Sequence, residues 1–161
     1  MPSLDKEGPV TLSVLDRLID SEPDHLQEPP LTRAQSLRDL RAALRRDLEW
    51  LFNTRCTIDE PPESMRELER SVYNYGISDT SSLSVRSPKD QEYLAKSIKN
   101  AITFFEPRMI AVKVTIEPAS EEVHGLHFSI EGLLRMDPAP EPVFFDTVLE
   151  PSSGEYKVKS T

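Results

Sequence analysis

Apolar residues recur at helical spacing near the middle of the chain and at strand spacing directly after it. Between residues 88 and 105 they return every three or four positions, which gives one buried stripe and one polar face. From residue 110 the period drops to two, as in a strand with one buried face. Pro107 separates the two patterns, because proline lacks an amide hydrogen and disfavours helical geometry in the residue before it. The sequence therefore predicts a helix, a rigid corner at Glu106-Pro107-Arg108 and a strand.

Two further helices are predicted before this one. Thr32 opens the first, with Gln35 at the capping-box position. Its apolar stripe consists of Leu37, Leu40, Leu44, Leu48, Leu51 and Phe52. The second is shorter, beginning near Ser64 and ending at Gly76, with Met65, Leu68, Val72 and Tyr75 at helical intervals.

The last third of the chain reads as strands. Residues 127–136 and 143–150 alternate in polarity, and after a turn the chain returns at Tyr156–Lys159 as an edge strand. Helices followed by strands predict an α+β fold, with about three N-terminal helices packed on an antiparallel meander of three to four strands. An exposed C-terminal edge strand can extend the sheet of a neighbouring protein.

The predicted domain organisation has three parts: a flexible tail over residues 1–31, a single α+β domain over residues 32–150, and a C-terminal hairpin or tail over residues 151–161. The N-terminal tail is rich in proline but encloses a short amphipathic helix, whose apolar side is formed by Val14, Leu15, Leu18 and Ile19. A helix of about two turns is unstable alone in water, so this side needs a surface. That surface belongs either to the core of the same chain or to another subunit.

Charge and cysteine content narrow the possible functions. A formal net charge of −9 argues against nucleic acid or an anionic membrane as the main partner, since both need clustered cations. The single cysteine, Cys56, has no partner for an internal disulfide and favours a reducing compartment. No apolar run is long enough to cross a bilayer, so no direct membrane insertion is expected.

The sequence gives little sign of catalytic or cofactor chemistry. His25, His124 and His127 lack the spacing of a zinc site, and there is no nucleophile elbow or glycine-rich phosphate loop. We expect no catalytic residue, no metal and no cofactor. A peptidoglycan-cleaving, lysozyme-like hydrolase stays as an alternative, with Glu106 as the acid and Glu117 or Glu131 as the second carboxyl group.

The corner itself has two interpretations. Glu106 and Arg108 form either an ordinary surface ion pair or an exposed anchor that inserts into another subunit, where Arg108 makes directional, charge-assisted bonds. Proline at position 107 preorganises the corner in the second case.

Three segments together resemble one protein family: the helix ending in Phe-Phe-Glu-Pro-Arg, the segment Ser71–Gly76, and the N-terminal Ser-Val-Leu-Asp-Arg-Leu. They are similar to the TssE family of baseplate wedge subunits of bacterial type VI secretion systems, which is related to a lysozyme-like wedge protein of contractile phage tails. The N-terminal peptide departs from the SLFDRL-like form of the family by having Val14 and Leu15.

This resemblance implies a non-enzymatic assembly protein in the bacterial cytoplasm, on the membrane-docked baseplate. Its partners are then the baseplate subunits TssF and TssG and the sheath subunits TssB and TssC. The residues expected to bind partners are Glu106, Pro107, Arg108, Leu15, Asp16, Arg17 and Leu18. An unrelated cytosolic protein-interaction module is the remaining alternative.

Overall fold

The computed structural model describes residues 10–19, 31–57, 62–80, 83–84, 87–117, 125–150 and 152–160. Its α-helices are α1 (Val14–Leu18), α2 (Arg33–Asn53) and α3 (Pro88–Phe105), and 3-10 helices occupy Glu63–Arg70 and Val72–Asn74. Its strands are β1 (Met109–Ile116), β2 (Leu126–Leu134), β3 (Glu141–Leu149) and β4 (Tyr156–Ser160). The helices precede an antiparallel sheet, so the predicted α+β fold is confirmed.

The strands form a meander in the order β1-β2-β3-β4, and every neighbouring pair is antiparallel. Along β2, residues that are buried alternate with residues that are partly exposed, as the period of two predicted. The sheet contributes its largest fully buried side chains through Phe128, Ile130, Leu134, Phe145 and Tyr156. One face of the sheet therefore carries the core.

The chain divides into two compact units, residues 1–44 and residues 45–161. In the first unit the amide of Val10 donates a hydrogen bond of 2.9 Å to the hydroxyl of Ser36, which is buried. The predicted capping box is also present, since the amide of Thr32 donates to Gln35 and the amide of Gln35 donates to Thr32.

In the second unit the last turns of α2 and the whole of α3 supply apolar side chains to the core. Phe52 is fully buried and its ring lies 6.5 Å from that of Phe128 and 5.8 Å from that of Tyr156. The predicted stripe of α3 is buried at Leu94, Ile98, Ala101 and Ile102. The helix begins as expected, because the Ser87 hydroxyl accepts from the Asp90 amide and proline follows it.

The predicted second helix is wrong in type. Residues 63–74 form two 3-10 segments, and Met65 interrupts the first with a φ of −123° and a ψ of 53°. Met65 and Val72 are exposed, so the apolar spacing has no core against which to pack. Gly76 does not cap a helix either. It lies beside the parallel bridge between Arg55 and Ile77, in a backbone conformation with a φ of +118°.

Candidate functional site

The corner between α3 and β1 is fixed by backbone hydrogen bonds on both sides. The amide of Glu106 donates to the carbonyl of Ile102 at 2.8 Å, which closes the last turn of α3. The amide of Met109 then donates to the carbonyl of Glu106 at 3.0 Å. Arg108 enters the sheet, because its carbonyl accepts from Arg135 at 2.7 Å. The proline-locked corner predicted at residues 106–108 is therefore present, with backbone hydrogen bonds on both sides of Pro107.

The two charges of the corner hold each other in a forked pair. Nε of Arg108 donates to Oε1 of Glu106 at 2.6 Å, and Nη2 of Arg108 donates to Oε2. The Arg108 amide adds a longer bond of 3.3 Å to Oε1. Both carboxylate oxygens are thus engaged by one residue, which is the geometry in which arginine binds a carboxylate most firmly.

A third residue, Asp47 of α2, completes this arrangement. Nη2 of Arg108 donates to Oδ2 of Asp47 at 2.6 Å, across 61 residues of sequence. The other oxygen of Asp47 accepts from Nε and Nη2 of Arg46 at 2.9 and 2.7 Å. The guanidinium of Arg46 in turn lies 4.9 Å from the ring centre of Trp50. We call Glu106, Arg108, Asp47 and Arg46 the charge network.

The network runs from the interior to the surface. Glu106 is 5% exposed, the side chain of Arg108 is 24% exposed, and Trp50 at the outer end is 53% exposed. The hydrogen bond to Glu106 raises the pKa of Arg108, and the charges of Glu106 and Asp47 add to this against the opposing effect of burial. Arg108 is therefore a cation at any pH at which the protein is studied.

Tyr75 borders the network and responds to it. Burial raises the pKa of Tyr75, and the negative charges of Asp47 and Glu106 raise it further. Its ring also packs edge-on against Phe105 at 5.3 Å between centroids. The end of the 3-10 segment and the end of α3 thus meet beside the corner.

This geometry corrects one expectation of the sequence analysis. Both interpretations of the corner, a surface ion pair and an exposed anchor, placed Glu106 at the surface, but Glu106 is buried and both of its carboxylate oxygens accept from Arg108. The physical reason is Asp47, which draws the guanidinium of Arg108 against α2 and over the corner. Sequence reasoning missed Asp47 because no local pattern links positions 47 and 108, which lie 61 residues apart.

The N-terminal docking residues belong to the first unit. Ser13 caps α1 by accepting from the Asp16 amide at 3.1 Å, and its hydroxyl donates to the Asp16 carboxylate. None of the residues of α1 is buried, and Val14, Leu15, Leu18 and Ile19 are between 49% and 76% exposed. Arg17 is exposed as well. The described residues of this unit therefore leave the apolar side of α1 uncovered.

Two of the three carboxylates considered for hydrolysis, Glu106 and Glu131, lie beside cationic side chains. Glu106 is held by Arg108, and Glu131 lies 3.6 Å from the amine of Lys113. Glu117 donates its amide to the His127 carbonyl at the end of β1. Within the described ranges no group of three or more His, Cys, Asp or Glu side chains is arranged to hold a metal ion. His25 and His124 lie outside those ranges.

The comparison with protein families decides the family. The model of the family described as baseplate wedge protein gp25 matches residues 38–139, well over half of the chain. The chain belongs to the baseplate wedge protein gp25 family. The matched segment of this wedge protein contains Asp47, Trp50 and the whole corner at residues 106–108. A comparison with curated proteins finds no match.

Membership of the gp25 family gives the wedge protein a coarse role. The family is a structural one, and its members take part in phage-tail-like baseplates together with other baseplate components. The described helices include none that is both long and apolar enough to span a membrane.

Proposed function

We propose that this wedge protein is the TssE-type subunit of a type VI secretion baseplate and that it joins the baseplate core to the contractile sheath without catalysing a reaction. The family match across the locked corner carries this proposal. TssF and TssG are the partners on the core side, and TssB and TssC are those on the sheath side. The place of action is the cytoplasmic face of the membrane-docked baseplate.

Within this function the corner acts as a preorganised part of an interface. Glu106 and Pro107 hold Arg108 in one position, so no side-chain entropy is lost there when a partner binds. The side chain of Arg108 is 24% exposed and available to a partner. Arg46 and Trp50 extend this surface outward. Arginine and tryptophan side chains dominate the binding energy of many protein interfaces.

The N-terminal helix supplies a second contact. Its apolar side, with Leu15 and Leu18, fits a hydrophobic groove on a baseplate subunit, while Asp16 and Arg17 provide polar flanks. We place this helix in a docking tail over residues 1–31, with residues 32–150 as the wedge domain and residues 151–161 as its C-terminal hairpin. Docking then covers apolar surface that is otherwise exposed to water.

Sheath assembly in the native host tests the proposal. Cells that lack the chain and carry a fluorescent sheath subunit should form no sheaths, and the wild-type chain supplied in trans should restore them. A variant with Leu15→Asp and Leu18→Asp should restore few or none, because charge replaces the apolar side of α1. A control that keeps both side chains apolar, Leu15→Met with Leu18→Met, should restore sheath assembly fully.

Two results would overturn the proposal. Normal sheath numbers in cells without the chain would remove it from sheath assembly. Release of soluble fragments from peptidoglycan by the purified chain, abolished by Glu106→Gln, would instead favour the hydrolase.

A further inference from the structure

A groove of about 340 Å³ lies in the second unit, between α3 and the two segments that meet at the Arg55–Ile77 bridge. On the side of the bridge it is lined by Cys56 and Ser78, whose Sγ and Oγ atoms lie 3.7 Å apart. On the other side a stripe of α3 returns every three or four residues, at Tyr93, Lys96, Ser97, Asn100 and Phe104. This stripe spans about 16 Å at a rise of about 1.5 Å per residue.

Aromatic rings stand at both ends of the stripe. Tyr93 is 53% exposed and Phe104 is 42% exposed. The ring of Phe104 lies 6.4 Å from that of Phe105, which in turn packs edge-on against Tyr75. The ring of Phe104 is therefore supported from behind while part of it meets water. Aromatic side chains in this position are suited to anchor a partner.

The charge of the groove is opposite to that of the whole chain. None of the lining residues is acidic, and Lys96 contributes a positive charge. From position 93 to the end of α3 there are two exposed lysines, Lys96 and Lys99, and no carboxylate, whereas the chain has a formal net charge of −9. Neither lysine forms an ion pair with a described residue. A negatively charged partner would complement this surface.

The backbone around the groove favours a helical partner over an extended one. The Cys56 amide donates to the Ile77 carbonyl at 3.2 Å, and the Ile77 amide donates to the Thr54 carbonyl at 2.9 Å. The stripe of α3 lies inside a helix, whose backbone groups bond within it. An extended segment would need free backbone groups to pair with, whereas a helix satisfies its own and binds through side chains.

We propose that this groove binds an acidic amphipathic helix of another protein. Apolar side chains about three turns apart on that helix contact Tyr93 and Phe104, and a carboxylate between them pairs with Lys96. None of the lining residues belongs to the charge network, so this surface is separate from the one that we assign to the baseplate core. The proposal therefore goes beyond the proposed function and does not depend on it.

Photo-crosslinking in cells of the native host tests which segment lies in the groove. Benzoyl-phenylalanine replaces Tyr93, and mass spectrometry locates the adduct. We expect one major adduct, on a segment of another protein that has apolar residues at helical spacing with carboxylates next to them. The proposal would be overturned by the absence of an adduct, or by an adduct confined to a second copy of the chain, to TssF or TssG, or to a basic or extended segment.

A charge reversal tests the role of Lys96. Lys96→Glu should lower the yield of the adduct from position 93 at least tenfold, because two carboxylates then face each other. Lys89→Glu reverses the charge of an exposed lysine of α3 outside the groove and should leave the yield within twofold of the wild type. Changing the facing carboxylate of the crosslinked segment to lysine should restore at least half of the yield that Lys96→Glu loses. Equal yields in the two variants, or no recovery, would refute the charge pairing.

Cys56 provides an independent measurement, because it is the only cysteine of the chain and lines the groove. In cell lysates N-ethylmaleimide should alkylate Cys56 at least threefold faster in Lys96→Glu than in the wild type, since the partner no longer covers the groove. Purified Lys96→Glu and the purified wild type should react at equal rates. If they do not, Lys96→Gln, which only removes the charge, takes its place. Equal rates in the lysates would show that nothing covers the groove.

Sheath numbers counted in the same strains separate this proposal from the proposed function. Sheaths that assemble in cells without the chain would overturn the proposed function, while an adduct that depends on Lys96 would still support the groove. Normal dependence of the sheaths on the chain, together with an adduct that Lys96→Glu leaves unchanged, would overturn the groove alone.

Discussion

At the scale of single residues, the buried carboxylate of Glu106 depends on Arg108. An ionised carboxylate out of water costs several kcal/mol unless hydrogen bonds and an opposite charge offset that cost, and Arg108 supplies both. Asp47 then shares the guanidinium and keeps it over the corner. The corner residues therefore contribute to the fold as well as to any surface that a partner contacts.

The variant Arg108→Ala should lower the free energy of unfolding by about 3 kcal/mol, since it leaves Glu106 charged and unpaired in a buried position. Urea denaturation measures this loss. The double variant Glu106→Gln with Arg108→Gln removes both charges and should lose clearly less. Equal losses in the two variants would mean that the lone carboxylate is not the cause. A loss of sheath assembly in Arg108→Ala alone thus does not demonstrate a lost contact.

Tyr156 makes the stability of the fold depend on pH in the alkaline range. Its hydroxyl is buried without a hydrogen-bond partner among the described residues. Burial raises the pKa of Tyr156. The side chain of Thr80, although it is outside hydrogen-bond geometry, and the positive charge of Arg55 partly offset this rise. The pKa of Tyr156 in the folded protein lies above its unfolded value of about 10, so the neutral hydroxyl contributes fully to the free energy of unfolding below about pH 10. This contribution is lost as the pH rises through the folded pKa.

The variant Tyr156→Phe should therefore weaken the loss of stability between about pH 10 and pH 12, and at neutral pH it should change stability by less than about 1 kcal/mol. Thermal unfolding followed by circular dichroism across this range measures the effect. Tyr93→Phe, at a tyrosine that is half exposed, serves as the control. An alkaline transition as steep in Tyr156→Phe as in the wild type would contradict the assignment.

At the scale of elements, local spacing predicted the long periodic segments and the short elements α1 and β4, but it gave the wrong type of helix for residues 63–74. The stripe of α3 and the alternation of β2 are encoded in local spacing, so they follow from the sequence alone. Residues 63–74 carry similar spacing but lie at the surface as 3-10 turns, because no core covers Met65 or Val72. The pairs of Asp47 with Arg108 and Asn53 with Tyr156 join residues 61 and 103 positions apart. Only the folded chain brings them together.

Gly76 marks a close approach of two segments, which gives a further prediction. A Cβ atom at this position would lie 2.4 Å from the carbonyl oxygen of Thr54, and its φ of +118° is unfavourable for other residues. Gly76→Ala should therefore lower the free energy of unfolding by about 3 kcal/mol or more. Gly154→Ala has a φ of +69° but meets nothing closer than 3.5 Å, so it should lose only about 1 kcal/mol. Similar losses by urea denaturation would contradict the steric explanation.

At the scale of the whole chain, two apolar features of the described surface are not buried in a core. One is the apolar side of α1 in the first unit, and the other is the aromatic end of the charge network in the second. A structural protein of a baseplate needs such surfaces, since it acts through contacts with several neighbours. The sequence indicated the first feature through its spacing, but no local pattern assigned a role to Trp50.

Trp50 is where a partner contact can be separated from stability. Its ring is half exposed and held by Arg46, so Trp50→Ala should change the free energy of unfolding by less than about 1 kcal/mol. If the outer end of the charge network contacts the baseplate core, the same variant should weaken binding to purified TssF–TssG complex by about 30-fold, which corresponds to about 2 kcal/mol. Tyr93→Ala removes an aromatic ring of the same 53% exposure from α3 and should leave binding within about twofold of the wild type. Calorimetric titration measures both variants, and equal affinity of Trp50→Ala and the wild type would place the contact elsewhere on the surface.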